Sequence, residues 1–264
     1  MIPRPAKSLW RPLLSMDHGH LRALLPSVDF SRPPSSLSGP EDNRDMSAFR
    51  HSAISLLAVV PSPLASASAS ASASASASAS ASASASSLSD DQRVETGIPH
   101  ILMIKRTLRG VHGGQIAFPG GIQDAGETLE TTARRELFEE LGISQEIYLN
   151  QMPVFSTVAS STFCTPFVGT LDSFLRQDED LVLSVNEVDK VLVIPIPQLV
   201  EEHAFDPAGK IVLNRTTGQT WTGPLFKLNG YRIWGLSGRI LLSFLDSVAT
   251  HVHTVGGLRS HASR

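Results

Sequence analysis

Between residues 121 and 143 the sequence reads GIQDAGETLETTARRELFEELGI, and three of its carboxylates, Glu136, Glu139 and Glu140, stand at i, i+3 and i+4. At 3.6 residues per turn that spacing puts all three along one edge of a helix. Like charges so placed repel, at roughly 0.2–0.5 kcal/mol per pair. A hard divalent cation, Mg²⁺ or Mn²⁺, offsets the repulsion, because such ions take oxygen ligands and are held by a few carboxylates together with substrate phosphates. An ion held there would polarise phosphoryl oxygens, orient a diphosphate and make a nearby water more acidic. A carboxylate that the ion does not fully occupy can accept the water's proton, and Glu139 is the first choice for that base.

Positioning falls to the elements on either side. From Thr128 the residues are good helix formers and Gly142 stands where a helix would stop, so a helix is predicted over residues 128–141. Leu137 and Leu141 form a separate stripe that can pack on a core. Arg135, beside the acidic edge, can reach back to Glu127 in the preceding loop, and that charge-assisted pair would orient the carboxylates for catalysis. Upstream, Phe118-Pro119-Gly120-Gly121 makes a rigid turn followed by two residues free to adopt positive φ, which lets backbone approach a ligand closely.

A lone ELFEEL segment would read as a solvated helix face, but the full spacing resembles the Nudix box. Its pattern is Gly, five residues, Glu, seven residues, Arg-Glu-aliphatic, one residue, Glu-Glu, one residue, Gly-aliphatic, and residues 121–143 meet every prescribed position. Seven such matches arise by chance in about one window in 10⁸. The preceding stretch ILMIKRTLRGVHGGQIAFPGG offers Arg106, Arg109 and His112 near two glycines, a mixture suited to gripping phosphate. It resembles the added motif of the coenzyme A pyrophosphatase branch, with Arg106, Gly114, Phe118, Gly120 and Gly121 where that branch has them. The loop between Arg106 and Gly114 is one residue shorter, which leaves Arg109 one position out of register. Downstream, Glu187-Val188 ahead of a strand ending in proline is similar to the branch as well, and Glu187 could add a carboxylate.

The resemblance covers about residues 48–250 and implies an α+β Nudix fold, a mixed β-sheet sandwiched between helices. It implies Glu136, Glu139 and Glu140 as metal ligands and Arg106, His112, Gly114, Phe118, Gly120 and Gly121 as substrate-binding. The implied substrate is coenzyme A or acyl-CoA, cut at its diphosphate to adenosine 3′,5′-bisphosphate and (acyl-)4′-phosphopantetheine. Other nucleoside diphosphate derivatives, ADP-ribose or a dinucleotide, are the alternative, and a non-catalytic binding module is a third reading.

The remaining sequence bounds these expectations. The 264 residues suffice for one ordinary domain with tails, and a net charge of −3 gives no basic footprint for nucleic acid. The single cysteine, Cys164, leaves no internal disulfide, and no apolar run is long enough to span a bilayer. Residues 1–47 read as a disordered tail. Within them Arg4, Lys7 and Arg11 precede the first acid, Asp17, a composition that fits a mitochondrial targeting segment, although Pro3 and Pro5 oppose a continuous amphipathic helix. Cytoplasmic or peroxisomal placement is the alternative. Apolar runs at residues 51–60 and 99–105 predict two adjacent strands, and the Ala-Ser repeat within residues 61–97 reads as a low-complexity insertion between them. Strands are also predicted at residues 152–156, 163–171 and 190–196, with short helices at residues 197–203 and 238–248. Residues 205–223 read as loop, and residues 251–264 as a flexible tail.

Overall fold

The apolar runs near residues 50–60 and 100–106 carry bulky side chains at successive positions, which strands accommodate only where both faces of the sheet are covered. The computed structural model, which describes residues 9–31, 49–60, 97–110, 112–157, 161–172, 181–214 and 216–261, shows that arrangement. β1 (Arg50–Val60) and β2 (His100–Arg106) lie antiparallel at the centre. Around them are β3 (Ile116–Ala117), β4 (Gly120–Ile122), β5 (Ile147–Gln151), β6 (Phe155–Thr157), β7 (Thr162–Asp172) and β8 (Val188–Pro195). The eight strands follow the path β3-β2-β1-β7-β5, with β4 on β1, β6 on β7 and β8 on β2. β1 and β7 run parallel, whereas the other pairs are antiparallel, so the sheet is mixed as expected.

Successive side chains of β1 and β2 serve opposite layers. Leu57, Val59, Leu102 and Ile104 meet Leu137 and Leu141 of α2 (Leu129–Leu141), together with Ile143. Leu56, Ala58, Ile101 and Met103 meet the other layer, which contains Phe244, Leu245 and Val248 of the closing helix. The result is the α+β sandwich expected from the sequence.

Several local expectations are corrected. Residues 9–31 are not a loose tail: a 3₁₀ turn (Arg11–Ser15), α1 (His18–Leu24) and a second 3₁₀ turn (Leu25–Ser27) pack against the sheet. Leu13, Leu21, Leu25 and Phe30 are buried there. Pro12 and Pro26, which read as breakers, sit in the first residues of the two turns, where a missing N–H removes no hydrogen bond. The rest of the expected tail, residues 1–8 and 32–48, and the Ala-Ser repeat lie outside the described residues.

β5 precedes the strand expected at 152–156, which is confined to β6. Ile196 leaves β8 to open α3 (Ile196–Val200). Residues 205–223 are not loop. β9 (Phe205–Asn214) and β10 (Gln219–Leu228) form a hairpin, extended by β11 (Tyr231–Ile233) to a second, three-stranded sheet. Its glycines and prolines hid it, yet the register shifts between Gly223 and Leu225, so Pro224 falls at an irregularity, where a strand tolerates it. The closing helix, α4 (Gly235–His261), runs well past residue 248 into the stretch expected to be loose.

Candidate active site

Local chemistry fixes both ends of α2. Thr128 Oγ1 accepts from the Thr131 N–H at 3.1 Å, and Gly142, with φ of 73°, donates its N–H to Phe138 O at 2.8 Å. The helix lies on the β1–β4 pair, where Ala53 faces Gly121 and Ile54 faces Gly120. Neither glycine has room for a side chain. A Cβ on Gly120, whose φ is +147°, would overlap Ala53 O and Ile54, and one on Gly121 would occupy the Glu136 carboxylate. The twin glycines therefore let two acids of α2 lie directly on the strand. Glu136 rests on Gly121, and Glu140 Oε2 accepts the Gly120 N–H at 3.0 Å.

The three acids differ sharply in surroundings. The Glu140 side chain is 1% exposed, Glu136 14% and Glu139 54%. Burial pushes Glu140 up to about 8, against the Gly120 N–H and the Arg106 guanidinium 3.6 Å away. Glu136 is also raised by burial, partly offset by Arg135, and Glu139 and Glu187 add negative field. Glu187 adds negative field at Glu140 as well.

Arg135 is the hub. Its Nε and Nη2 donate to the two oxygens of Glu127 at 2.8 and 3.1 Å, Nη1 donates to Glu136 and Glu139 at 2.9 and 3.0 Å, and Nη2 also reaches Ile122 O. The hydrogen bonds from Arg135 and then Thr132 hold Glu127 down to about 2. The orienting pair inferred from spacing is therefore present, and it is bidentate. The metal-ligand expectation needs a qualification: the three acids share one edge, but among the described residues no three His, Cys, Asp or Glu side chains converge into a cation site. The Arg135 guanidinium holds Glu136 and Glu139 instead, the ordinary response of carboxylates to an adjacent cation. The donor set is nonetheless hard oxygen, and Glu140 is a buried carboxylate incompletely balanced by one N–H and a distant guanidinium, which is chemistry that a divalent ion fits.

The remaining expected residues divide. Arg106, at the end of β2, faces Glu140, and Gly114, with φ of 74°, donates its N–H to the carbonyls of Arg106 and Thr107. His112 is exposed in that turn. Arg109 donates to Asn186 Oδ1 at 2.9 Å, which ties the basic loop to the segment carrying Glu187. Phe118 is corrected: it is 3% exposed and packs in the core opposite α2, so its side chain anchors the turn rather than lining a site.

Sequence reasoning missed a polar group behind α2. Arg134 lies over the Tyr148 ring at 4.6 Å and pairs with buried Glu146, while the Tyr148 hydroxyl hydrogen-bonds Ser55 Oγ. The only sequence signal was the i, i+4 spacing of Glu130 and Arg134.

Nudix hydrolase 3 of Caenorhabditis elegans is 35% identical over 159 residues, covering 55% of this chain and 65% of that protein. The peroxisomal coenzyme A diphosphatase ndx-8 of the same organism is 32% identical over 96 residues, covering 34% of this chain and 39% of that one. The chain thus spans less than two thirds of either relative. Among solved structures, the Nudix hydrolase RenU of M. smegmatis aligns over 55% of this chain and 70% of its own, with 16% identity and a TM-score of 0.36. The NUDIX domain profile matches residues 83–215, half of the chain and the whole of the acid-bearing helix with its glycine turn, and the chain belongs to the NUDIX domain family.

Proposed function

We propose that the chain hydrolyses the diphosphate bond of coenzyme A or an acyl-CoA, releasing adenosine 3′,5′-bisphosphate and (acyl-)4′-phosphopantetheine. The observation that carries this reading is the seating of Glu136 and Glu140 on Gly121 and Gly120, which places one half-buried and one buried acid directly against a strand. Glu136, Glu139 and Glu140 are the oxygen donors for Mg²⁺ or Mn²⁺, which when bound supplies the positive charge that lets water attack a phosphorus atom. Arg135, held in place by Glu127, aligns Glu136 and Glu139 directly, and it engages only one oxygen of Glu139, the most exposed of the acids, which leaves the other oxygen to accept a proton. Arg106, His112 and the Gly114 turn form the basic side of the site, suited to the negative phosphates.

The branch-specific motif between Arg106 and Gly121 supports coenzyme A as the substrate, and so does the partial likeness to the ndx-8 diphosphatase. The test is incubation with Mg²⁺ and either coenzyme A, ADP-ribose or a dinucleotide, with products identified by mass. Cleavage of coenzyme A to the two named products is expected. Cleavage of ADP-ribose or a dinucleotide alone would replace the substrate, and cleavage of none would leave a binding module.

We place the protein in the mitochondrion, with cytoplasm and peroxisome as the alternatives. A segment removed on import would have to be cut before Trp10, which is built into the core, and imaging of a carboxy-terminal fluorescent fusion decides the compartment.

A further inference from the structure

α2 carries its acids on one flank and is tied down by the other. Ala133, fully buried, faces the sheet; at about 100° per residue, Arg134 leaves on one side of it and Glu136 and Glu139 on the other. A roll of the helix that lifts one flank lowers the other. The carboxylates lie roughly 5–6 Å from the helix axis, so a roll of about 10° moves them by about 1 Å. A misplacement of that size can cost on the order of a hundredfold in rate.

Apolar packing resists that roll mainly at the far end. Leu137, Leu141 and Ile143 seat the second half of the helix on the sheet. In the first half the buried contact is Ala133 on Ala53 and Phe167, with Leu129 and Tyr148 only partly buried beside it. Polar groups of β1 and β5 take over there. Ser55 Oγ donates to Ala133 O at 3.3 Å and lies 2.5 Å from the Tyr148 hydroxyl. A serine hydroxyl has one hydrogen to give, so Tyr148 donates to Ser55, and Ser55 to the helix. Burial pushes the Tyr148 phenol up to about 12, which keeps the donor protonated.

The flank is held from the same strand. Arg134 lies over the Tyr148 ring at 4.6 Å, donates to Glu146 Oε1 at 2.5 Å and pairs with Glu130 at 3.0 Å. The Glu146 side chain is 2% exposed, and among the described residues its Oε2 has no hydrogen-bond partner. A buried carboxylate so incompletely paired is a weak source of stability, and an apolar side chain would fill the place as well. What the pair supplies is direction. The Arg134 guanidinium meets both the Tyr148 ring and Glu146 at only one roll of α2.

We infer that Ser55, Tyr148, Arg134 and Glu146 form a clamp that sets the roll of α2 and so places Glu136 and Glu140 on Gly121 and Gly120. They are positioning residues, which act on the acids through the helix. The inference rests on the proposed role of those acids in holding a divalent cation, and it adds the groups that orient them from the far flank.

Binding of Mn²⁺ alone to the full chain, followed by electron paramagnetic resonance, reads the clamp without turnover. Tyr148→Phe keeps the ring under Arg134 and removes only the hydroxyl. Its Mn²⁺ dissociation constant is expected to rise by roughly tenfold, as loss of an outer partner does at metal sites, with the fold intact by circular dichroism. Ser55→Ala should weaken Mn²⁺ by the same factor and the double variant by no more, because each cuts one chain of hydrogen bonds. Coenzyme A hydrolysis should lose kcat to a similar extent with KM unchanged. Unchanged Mn²⁺ affinity in Tyr148→Phe, whether or not its thermal midpoint falls, would show a merely structural role and overturn the clamp. Losses that add in the double variant, or a rise in KM at unchanged kcat, would overturn it too. Weakened Mn²⁺ binding in the variants of a wild type that does not cleave coenzyme A would overturn the reaction and support the clamp, which keeps the two failures apart.

Discussion

On the α2 face of the sheet, Glu127, Arg135, Glu136, Glu139 and Glu140 come from one short window and meet through hydrogen bonds of 2.8–3.1 Å centred on a single guanidinium. On the opposite face the decisive contacts join the ends of the chain. Trp10 Nε1 donates to Asp246 at 2.6 Å across 236 positions, its ring packs against Phe205 and Phe226, and Phe30 stacks on Phe244 at 5.9 Å. The cluster on the first face is charged and local in sequence, at the edge of an apolar layer of its own; the cluster on the other is apolar and built by long-range closure. Chemistry can be concentrated in a single helix because the opposite layer buries the other face of the sheet on which that helix packs. The two faces should therefore fail differently when perturbed, one losing turnover and the other losing stability.

The sharpest separation comes from Glu140→Gln. It keeps an acceptor for the Gly120 N–H but cannot ionise to hold a cation, so kcat is expected to fall by at least about a hundredfold while the thermal midpoint holds or rises. Turnover at the wild-type level would remove Glu140 from the site. Trp10→Ala is the reciprocal perturbation. It empties a buried ring position and orphans Asp246, at a cost of about 3–5 kcal/mol in urea unfolding, with kcat per folded molecule unchanged in native conditions. A stability loss under 1 kcal/mol would show that the amino-terminal segment is not integral to the fold. Arg135→Lys should fall between these two. A lysine cannot reproduce the bidentate grip on Glu127, and loss of an orienting partner lowers activity by roughly 10- to 100-fold, read as a fall in kcat rather than a rise in KM.

The same contrast explains what the sequence disclosed. Arg135, Glu136 and Glu140 were legible because helix periodicity converts their spacing directly into shared space, and Glu127 because the loop before the helix lies within reach of Arg135. Gly120 and Gly121 were legible as a close approach, although not which atoms come close. β1, β2, β7 and β8 were legible because strands buried on both faces read as continuous apolar runs. What failed was everything that depended on a distant partner. Residues 9–31 look disordered from proline and serine content, since nothing nearby shows that Trp10 will reach Phe226 and Asp246. Residues 205–223 read as loop because Gly209, Gly223 and Pro224 are ordinary turn residues, and only pairing of β9 with β10 turns them into irregularities of a ladder. Phe118 was misassigned because a motif gives positions and not side-chain directions.

The smallest predicted effect tests the long-range face without touching the acids. Burial pushes Asp246 up to about 6, with the Trp10 N–H pulling the other way. In the unfolded chain this carboxyl titrates near 3.8. Between about pH 4 and 6 the native protein holds a proton that the unfolded chain has released, so stability falls as pH rises through that window. Two units correspond to at most about 3 kcal/mol, and partial exposure of the group reduces this to about 1–2 kcal/mol. Asp246→Asn keeps an acceptor for Trp10 but cannot ionise, so the difference in unfolding free energy between variant and wild type should grow by that amount from pH 4 to pH 6.5 and stay constant above it. A flat difference across the whole range would show that the carboxyl is solvated in the native state, and the contact between the two ends of the chain would then be looser than the 2.6 Å hydrogen bond implies.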